Sequence, residues 1–379
     1  MISNPDNLLL IETKSVTVVT ETMSANGRIS GIVQRVALGL GLLSFSLPSD
    51  GSEFPGEVLL FPDVTAVKRF DLQQSSKLEE EELLPAINLF STLDYGRFRF
   101  LGEWLLDTKS QELQRLQVGG RWQDTTFWLG RFHNPIGYWN TQFHHGGYLQ
   151  TTASRPGIIV FEGSDGPLPT HLSGLLVEGI QEIGRAGLYY TLGVGVGPDL
   201  RKRLQPFDLL DPSGSYRPGA TLRLAYQPTI YSVNEIGFST SYTEIPGHSS
   251  SLRKVKQVIA GVFGNWQLKS VRILSEMLYV HNWLDQATGS TKDAFLNAYG
   301  QVEWGLSKDW TLFSRLEGTW HSDNDRYLMR FPNFVEDRVL GGVRYQLFRN
   351  MALKLEVSQE HLEDDRFGQV ILQWSAVFP

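Results

Sequence analysis

The sequence contains no cysteine, and this absence excludes disulfide-bonded scaffolds and Cys-ligated zinc or iron–sulfur sites. The formal net charge is −7, so the chain lacks the basic surplus typical of nucleic-acid-binding proteins, and we expect no nucleic-acid partner. The hydrophobic share of 41% is too high for a disordered chain. The sequence therefore predicts a folded protein without cysteine chemistry.

Long apolar runs are also missing, because no window reaches the roughly 18 to 20 residues that a membrane-spanning helix needs. Two classes remain, a soluble globular protein and a β-barrel, whose membrane signal is weak in each strand. What the sequence does contain is glycine and aromatic residues, with 37 Gly, 10 Trp, 13 Tyr and 21 Phe.

Residues 1–52 are predicted to be a targeting segment. Basic residues precede an apolar run at 36–45, which is too short to span a bilayer and is followed by small and polar residues. This order is typical of a secretory signal peptide, and a buried helix of a soluble domain is the alternative. Residues 1–22 have no such pattern, and we interpret Met23 as the real start. Residues 53–379 are then one domain.

Alternation of period two dominates this domain. In residues 352–358 (ALKLEVS), one face carries Leu, Leu and Val, and the other carries Lys, Glu and Ser. We predict about sixteen strands of this kind, each long enough to cross a bilayer when tilted. They are predicted near 58–70, 85–95, 97–109, 112–123, 125–133, 171–182, 187–197, 218–227, 233–244, 254–267, 270–282, 294–305, 309–321, 335–347, 350–360 and 366–378. The first is the weakest, because Pro62 suggests an edge or bulged strand.

The connections between these strands alternate in length. Short turns are predicted at 94–97, 122–124, 184–187, 306–309 and 348–350. Long loops are predicted at 134–170, 198–217, 245–253, 283–293 and 322–334. An up-and-down barrel produces this alternation, because one rim carries turns and the other carries loops. The predicted fold class is therefore all-β, a transmembrane up-and-down antiparallel barrel, with an even strand number if both chain ends lie at the turn rim.

The two faces of the strands differ in chemistry. The apolar face includes Phe98, Trp122, Trp128, Phe132 and Val262, with aromatic residues towards strand ends as in an interfacial girdle. A soluble β-sandwich would explain the alternation equally well, but not the mixture of Arg and Glu on the second face, which suits a wet lumen. We predict that the second face lines a pore through Arg99, Glu103, Arg115, Arg121, Arg131, Glu178, Arg223, Arg272, Glu276, Glu303, Arg315, Glu317, Arg344, Lys354 and Glu356.

The last strand ends in alternating apolar residues that finish at Phe378. This segment resembles the C-terminal signature of bacterial outer-membrane barrels, from which it departs by the added Pro379. With the alternating loops, residues 55–379 resemble Gram-negative porins, including the phosphate-selective porin type. The resemblance implies a location in the bacterial outer membrane. It implies lipid, lipopolysaccharide and the barrel-assembly machinery as partners, and in many such porins a homotrimer.

The stretch 130–137 (GRFHNPIG) leaves a strand and enters a loop of more than thirty residues, a length that usually indicates function. It resembles the place in such porins from which a long loop folds into the barrel. We therefore predict that 134–170 is a constriction loop. Its candidate lining residues are Arg131, His133, His144, His145, Arg155, Glu162 and Asp165.

The predicted function is passive diffusion of small hydrophilic solutes, charged rather than neutral, with a weak preference for anions from the inward-facing arginines. The histidines of the loop match no standard metal signature, so we expect no metal and no cofactor. No nucleophile motif is recognisable, and we expect no enzyme activity. The alternatives are a plugged outer-membrane barrel with an enzymatic or adhesive role, and a secreted β-sandwich that binds a partner.

Overall fold

A computed structural model describes residues 56–73, 78–108, 111–143, 146–164, 166–209, 216–249 and 251–379. The predicted targeting segment at 1–52 lies outside these residues. In the described part of the chain, no helix is both long enough and apolar enough to cross a membrane.

Sixteen long strands form one closed antiparallel sheet, as the alternation predicts. The connection between β7 and β8 contains a small hairpin at 199–205, whose two strands are two residues long each and are not counted among the sixteen. The strands are β1 Gly56–Phe70, β2 Glu81–Tyr95, β3 Phe98–Asp107, β4 Gln111–Trp122, β5 Thr125–His133, β6 His171–Ile183, β7 Ala186–Val196, β8 Pro218–Gln227, β9 Glu235–Ser249, β10 Leu252–Leu268, β11 Val271–Gln286, β12 Gly289–Gly305, β13 Trp310–Trp320, β14 Asp337–Phe348, β15 Met351–His361 and β16 Arg366–Ala376.

The first and last strands close the barrel. β1 pairs with β2 on one side and with β16 on the other, from Asp63 opposite Ser375 to Phe70 opposite Gly368. Pro62 lies just before this second ladder begins, so its missing N–H costs no regular hydrogen bond there. Because every strand has two neighbours, β1 is not an edge strand and the β-sandwich alternative is wrong.

The two rims differ as predicted. One rim, the turn rim, carries short turns such as 96–97, 123–124 and 184–185. The opposite rim, the loop rim, carries the long connections 134–170, 197–217 and 321–336. Both ends of the barrel chain lie at the turn rim, which agrees with the even strand number.

Two predicted loops are wrong. Residues 245–253 and 283–293 belong largely to long hairpins, whose ladders continue to Ser249 opposite Leu252 and to Gln286 opposite Gly289. The polar composition of these segments suggested loops because they lack the apolar alternation of a membrane strand. Backbone pairing does not require an apolar face, so these strands continue past their apolar segments into the polar residues.

The outward face of the barrel is apolar. Val262 and Leu372 are among the outward side chains, with 46% and 53% of their surface exposed. Large aromatic side chains cluster on this surface close to the turn rim, where the tilted rings of Trp310 and Tyr345 are in contact with centroids 4.5 Å apart. An apolar band with aromatic residues near its border matches a membrane-facing barrel surface.

The predicted orientation of Trp128 and Phe132 is wrong. Both face the lumen, whereas Phe127 and Leu129 are the exposed residues of β5. The sequence TTFWLGRFH places bulky apolar residues on both faces, so alternation alone does not identify the outer one. Phe132 packs in the lumen with Leu172 and Leu176.

The lumen is not uniformly wet, in contrast to the sequence prediction. Along β10 and β11 the inward side chains are largely apolar, including Phe263, Leu274 and Leu278, and they are buried. Ile136, Trp139, Ile158, Ile159 and Leu168 of the connection 134–170 belong to the same core. Part of the barrel interior is therefore a packed hydrophobic core that the barrel wall and this loop build together.

Candidate functional site in the barrel lumen

The connection between β5 and β6, residues 134–170, enters the lumen immediately after the strand ends. The Gly137 N–H donates a hydrogen bond to Ser239 Oγ at 2.9 Å, and the Gly137 carbonyl accepts one from Arg223 Nε at 3.3 Å. A short helix follows at Trp139–Gln142. The loop is thus held against the wall of β8 and β9 within its first few residues.

Glu276 of β11 is the first carboxylate anchor of the loop. It accepts hydrogen bonds from the backbone N–H of Tyr138 at 3.1 Å and of Trp139 at 3.3 Å, and from Tyr299 Oη at 2.7 Å. Gly137 has φ +68°, and a Cβ there would collide with the Glu276 carboxylate. The Ile-Gly turn of the sequence therefore allows close approach of the loop backbone to a buried carboxylate.

The middle of the loop is held by three further carboxylates. Glu303 accepts a hydrogen bond from Thr151 Oγ1 at 2.9 Å, and Glu356 accepts one from the Ala153 N–H at 2.9 Å. Glu317 accepts one from the Gly157 N–H at 2.7 Å. Backbone N–H groups of the loop thus find charged acceptors where its own secondary structure provides none.

Cationic side chains of the wall bind loop carbonyl groups in the same region. Lys354 Nζ donates to the carbonyls of Gly147 at 2.5 Å and Thr152 at 3.1 Å, and Arg344 donates to Gln150 at 2.9 Å. Arg315 has no exposed surface and donates to the Ser154 carbonyl while it pairs with Glu317 at 2.8 Å. Charged side chains of β11–β15 thus bind the loop inside the lumen.

A second group of ionisable residues lies where the loop returns to the wall at β6. His171 Nδ1 is 2.6 Å from Glu162 Oε2, and its backbone N–H donates to Glu162 Oε1 at 3.0 Å. The His133 ring lies against the His171 ring, with centroids 4.7 Å apart, and His133 Nε2 is 3.5 Å from Glu103 Oε2. We call Glu103, His133, Glu162 and His171 the His–Glu cluster.

Two residues of loop 134–170, Glu162 of the His–Glu cluster and Arg155, have shifted pKa values. Burial by itself would raise the pKa of Glu162, but the contact with His171 and the nearby Arg131 outweigh it, so the pKa is lowered. Burial lowers the pKa of the Arg155 guanidinium to about 10. Arg155 remains charged at neutral pH and lies 3.9 Å from the ring centroid of Phe161.

Arg131 and Arg155 have unsatisfied donors. In each guanidinium, Nε and Nη2 are buried without a hydrogen-bond partner among the described residues. Arg131 Nη1 makes one long hydrogen bond, 3.4 Å, to the carbonyl of Phe207 in the connection 197–217. Buried cationic donors without acceptors are costly, so they indicate a site where an anion or water completes the hydrogen bonding.

Between the loop and the wall of β3–β8 a cavity of about 390 Å³ remains. We call it the turn-side cavity, because it extends to Arg121, Asp124 and Tyr231 at the turn rim. Two glycines of its wall lie directly beside aromatic rings. Trp128 lies over Gly119, and a Cβ at Gly193 would be 3.0 Å from the Phe132 ring. Small residues thus leave room for aromatic side chains that project into the lumen.

The closed barrel, the loop within it and the cavity beside the loop are the features of a porin-type barrel. The fold is that of outer-membrane porins. The outer membrane channel DcaP of Acinetobacter baumannii is 11% identical, with a TM-score of 0.54 over 88% of this chain and 100% of that chain. OmpF of Salmonella typhi, solved with daunomycin, is 10% identical, with a TM-score of 0.54 over 85% and 97%.

OmpT of Vibrio cholerae, expressed in the outer membrane, is 10% identical to this porin-type barrel, with a TM-score of 0.53 over 88% of this chain and 99% of that chain. At these identities the likeness concerns the fold. No protein-family model and no curated protein matches the sequence.

The remaining predicted site residues divide between the turn rim and the undescribed part of the loop. Arg99, on the lumen face of β3, pairs with Asp94 near the turn rim. His144, His145 and Asp165 lie outside the described residues. Within the described part of the chain, no group of three His, Asp or Glu side chains could hold a metal ion.

Several residues of the site were missed by sequence reasoning. His171 of the His–Glu cluster is the first residue of β6, and Tyr299 and Asn140 contact other parts of the site. Arg338 could have been found from alternation, because it precedes the outward Val339 and pairs with Glu317 at 3.3 Å and Glu360 at 3.0 Å. For His171, Tyr299 and Asn140 no local pattern gives a signal, since their partners are distant in sequence.

Proposed function

We propose that this protein is an outer-membrane channel for passive diffusion of small hydrophilic solutes, with loop 134–170 as its constriction. The observation that carries the proposal is a closed porin-type barrel in which this loop fills one side of the lumen and leaves the turn-side cavity on the other. Solutes would move along the wall of β3–β8, past His133, to the loop rim.

The apolar outer band supports a membrane location, and the outer-membrane location of OmpT and the channel DcaP supports the outer membrane. Contacts with lipid, lipopolysaccharide and the barrel-assembly machinery are part of this proposal. A trimer form of OmpT, 9% identical with a TM-score of 0.52, supports a homotrimer, which the mass of the detergent-solubilised protein would test.

The proposal includes a weak preference for anions. Its support is the pair of buried guanidinium groups at Arg131 and Arg155, whose Nε and Nη2 have no partner among the described residues. Most other lumen arginines are neutralised; Arg115, for example, is 2.7 Å from Glu103. Among the described residues, few lumen cations with unsatisfied donors therefore remain to set the selectivity, which is why the preference is weak.

Planar-bilayer recordings of the purified protein test the channel. Discrete, stable conductance steps are expected, and in a salt gradient the reversal potential should have the sign of an anion preference. A cation preference would contradict the selectivity proposal but not the channel.

A plugged barrel with an adhesive or enzymatic role is the second candidate. The observation that favours it is the dense packing of the loop against the wall. Trp139 of the loop and the wall residues Arg315 and Lys354 have at most 1% of their surface exposed. Absence of conductance steps from folded, heat-modifiable protein would favour this candidate over the channel.

A further inference from the structure

The turn-side cavity has an ordered polar wall. In the register of β4–β8, Arg121 lies opposite Thr126, Thr126 opposite Glu178, Glu178 opposite Thr191, and Thr191 opposite Arg223. Directly opposed residues share a face, so these five side chains form one row across the lumen wall. All five line the cavity.

The charged members of this wall are largely committed to partners within the protein. Arg223 Nη2 is 2.5 Å from Glu235 Oε1, and Arg121 Nε donates to the Gln123 carbonyl at 3.1 Å. Glu178 accepts a hydrogen bond from Trp128 Nε1 at 2.8 Å. A charged solute would therefore compete with existing pairs for these groups.

The neutral polar groups of the cavity, in contrast, are free to bind a solute. No described residue is a hydrogen-bond partner of the Gln117 amide or of the Thr126 and Thr191 hydroxyls. Asn140 has no exposed surface, and its Nδ2 donates to the carbonyls of Asn134 and Thr170. Its Oδ1 is buried as well, so the neutral groups within reach of a solute are those of Gln117, Thr126 and Thr191.

Aromatic surface completes the cavity. Trp128, Phe132, Tyr189 and Tyr190 line it beside these neutral groups. Free amides and hydroxyls beside aromatic faces suit a solute that has several hydroxyl groups and an apolar C–H face. The volume of about 390 Å³ lies within the range of small-molecule sites.

We infer that the turn-side cavity binds a neutral polyhydroxylated solute, of the size of a mono- or disaccharide, on its way through the barrel. This inference rests on the proposed channel and names a solute class for it. Ion selectivity at Arg131 and Arg155, towards the loop rim, is a separate property.

Block of the ion current by D-glucose and maltose tests the inference. Each sugar is expected to reduce the current of the wild-type channel saturably, with half-block near the millimolar range. Gln117→Leu and Thr191→Val each remove a neutral hydrogen-bonding group and should raise the half-block concentration by about threefold or more. Thr311→Val is the matched control, because Thr311 lies opposite the lumen residue Arg344 outside this cavity, and it should leave half-block unchanged.

The outcomes separate the inference from the proposed function. Conductance without saturable block, or with equal block in all variants, would overturn the sugar site and leave the channel intact. Tighter block by sodium gluconate than by glucose would overturn the assignment to neutral solutes.

If no conductance is found, the proposed channel is wrong, and saturation-transfer NMR of glucose with detergent-solubilised protein tests the sugar site by itself. Saturation transfer to glucose from wild type that is lost in Gln117→Leu would support the sugar site. No saturation transfer from wild type would overturn the sugar site.

Discussion

Buried carboxylates hold the loop inside the barrel through backbone donors. Glu276 accepts three hydrogen bonds, two of them from backbone N–H groups of Tyr138 and Trp139. All three donors meet Oε2, and an ionised oxygen accepts hydrogen bonds more strongly than the oxygen of a neutral amide.

Glu276→Gln is therefore expected to weaken retention of the loop by about 1.5 to 3 kcal/mol. The open-channel current noise should rise, since the loop would leave its site more often. Glu244→Gln is the control, because Glu244 accepts its hydrogen bonds from Tyr242 and Lys254, which belong to the barrel wall and not to the loop. Equal noise in both variants and wild type would show that Glu276 is not an anchor.

The contact between Glu162 and His171 predicts a sensitivity to acid. Because the pKa of Glu162 is lowered in the folded protein, its ionised form contributes stability at neutral pH. This contribution is fully present above the ordinary value of about 4.3 and is lost as the pH falls through the lowered pKa. Between pH 6 and pH 3, the melting temperature of wild type should fall more than that of Glu162→Gln. Equal falls would contradict this role.

At the scale of the elements, the strands and their connections follow from the sequence, and the interior of the loop does not. Alternation predicts the strands because each strand has one face towards lipid and one towards the lumen, and its own sequence reflects this difference. The location of Trp139 in a core with Phe143 and Tyr299 depends on distances across the barrel, which no local pattern contains. The same reason explains why the partners of His133 and Glu162 were not predictable.

The loop behaves as a packed element, so its largest buried side chain should matter most. Trp139→Ala is expected to weaken packing of the loop by about 3 to 5 kcal/mol and to give larger, noisier conductance steps. Trp320, on the outer surface with 52% exposed, is the control position, and Trp320→Ala should leave the steps unchanged. Wild-type steps from Trp139→Ala would mean that the core inside the lumen does not hold the loop.

At the scale of the whole molecule, the barrel places a lipid-facing surface outside and a mixed surface inside. The sequence predicted the outer surface well where one face is charged, as in β15, and failed at β5, where both faces are bulky. It also predicted a wet lumen, because charged side chains on an inner face have the same pattern whether water or a loop neutralises them.

The lipid-facing surface predicts a dependence of stability on depth. Val262 lies near the middle of β10, and Val271 begins β11 at the turn rim. Val262→Arg should lower the free energy of unfolding in lipid vesicles by about 2 to 4 kcal/mol, and Val271→Arg by at most about 1 kcal/mol. Denaturant titration measures both, and equal losses would contradict the proposed orientation of the strands in the membrane.

The proposed channel depends on loop 134–170, which narrows its conducting lumen. Planar-bilayer conductance of wild type and of a variant that lacks residues 138–168 tests it most directly, once heat modifiability has shown that both barrels are folded. A constricting loop predicts stable steps from wild type and larger steps from the variant. Steps of equal size would show that the loop is not the constriction, and the absence of steps from both proteins would contradict the channel itself.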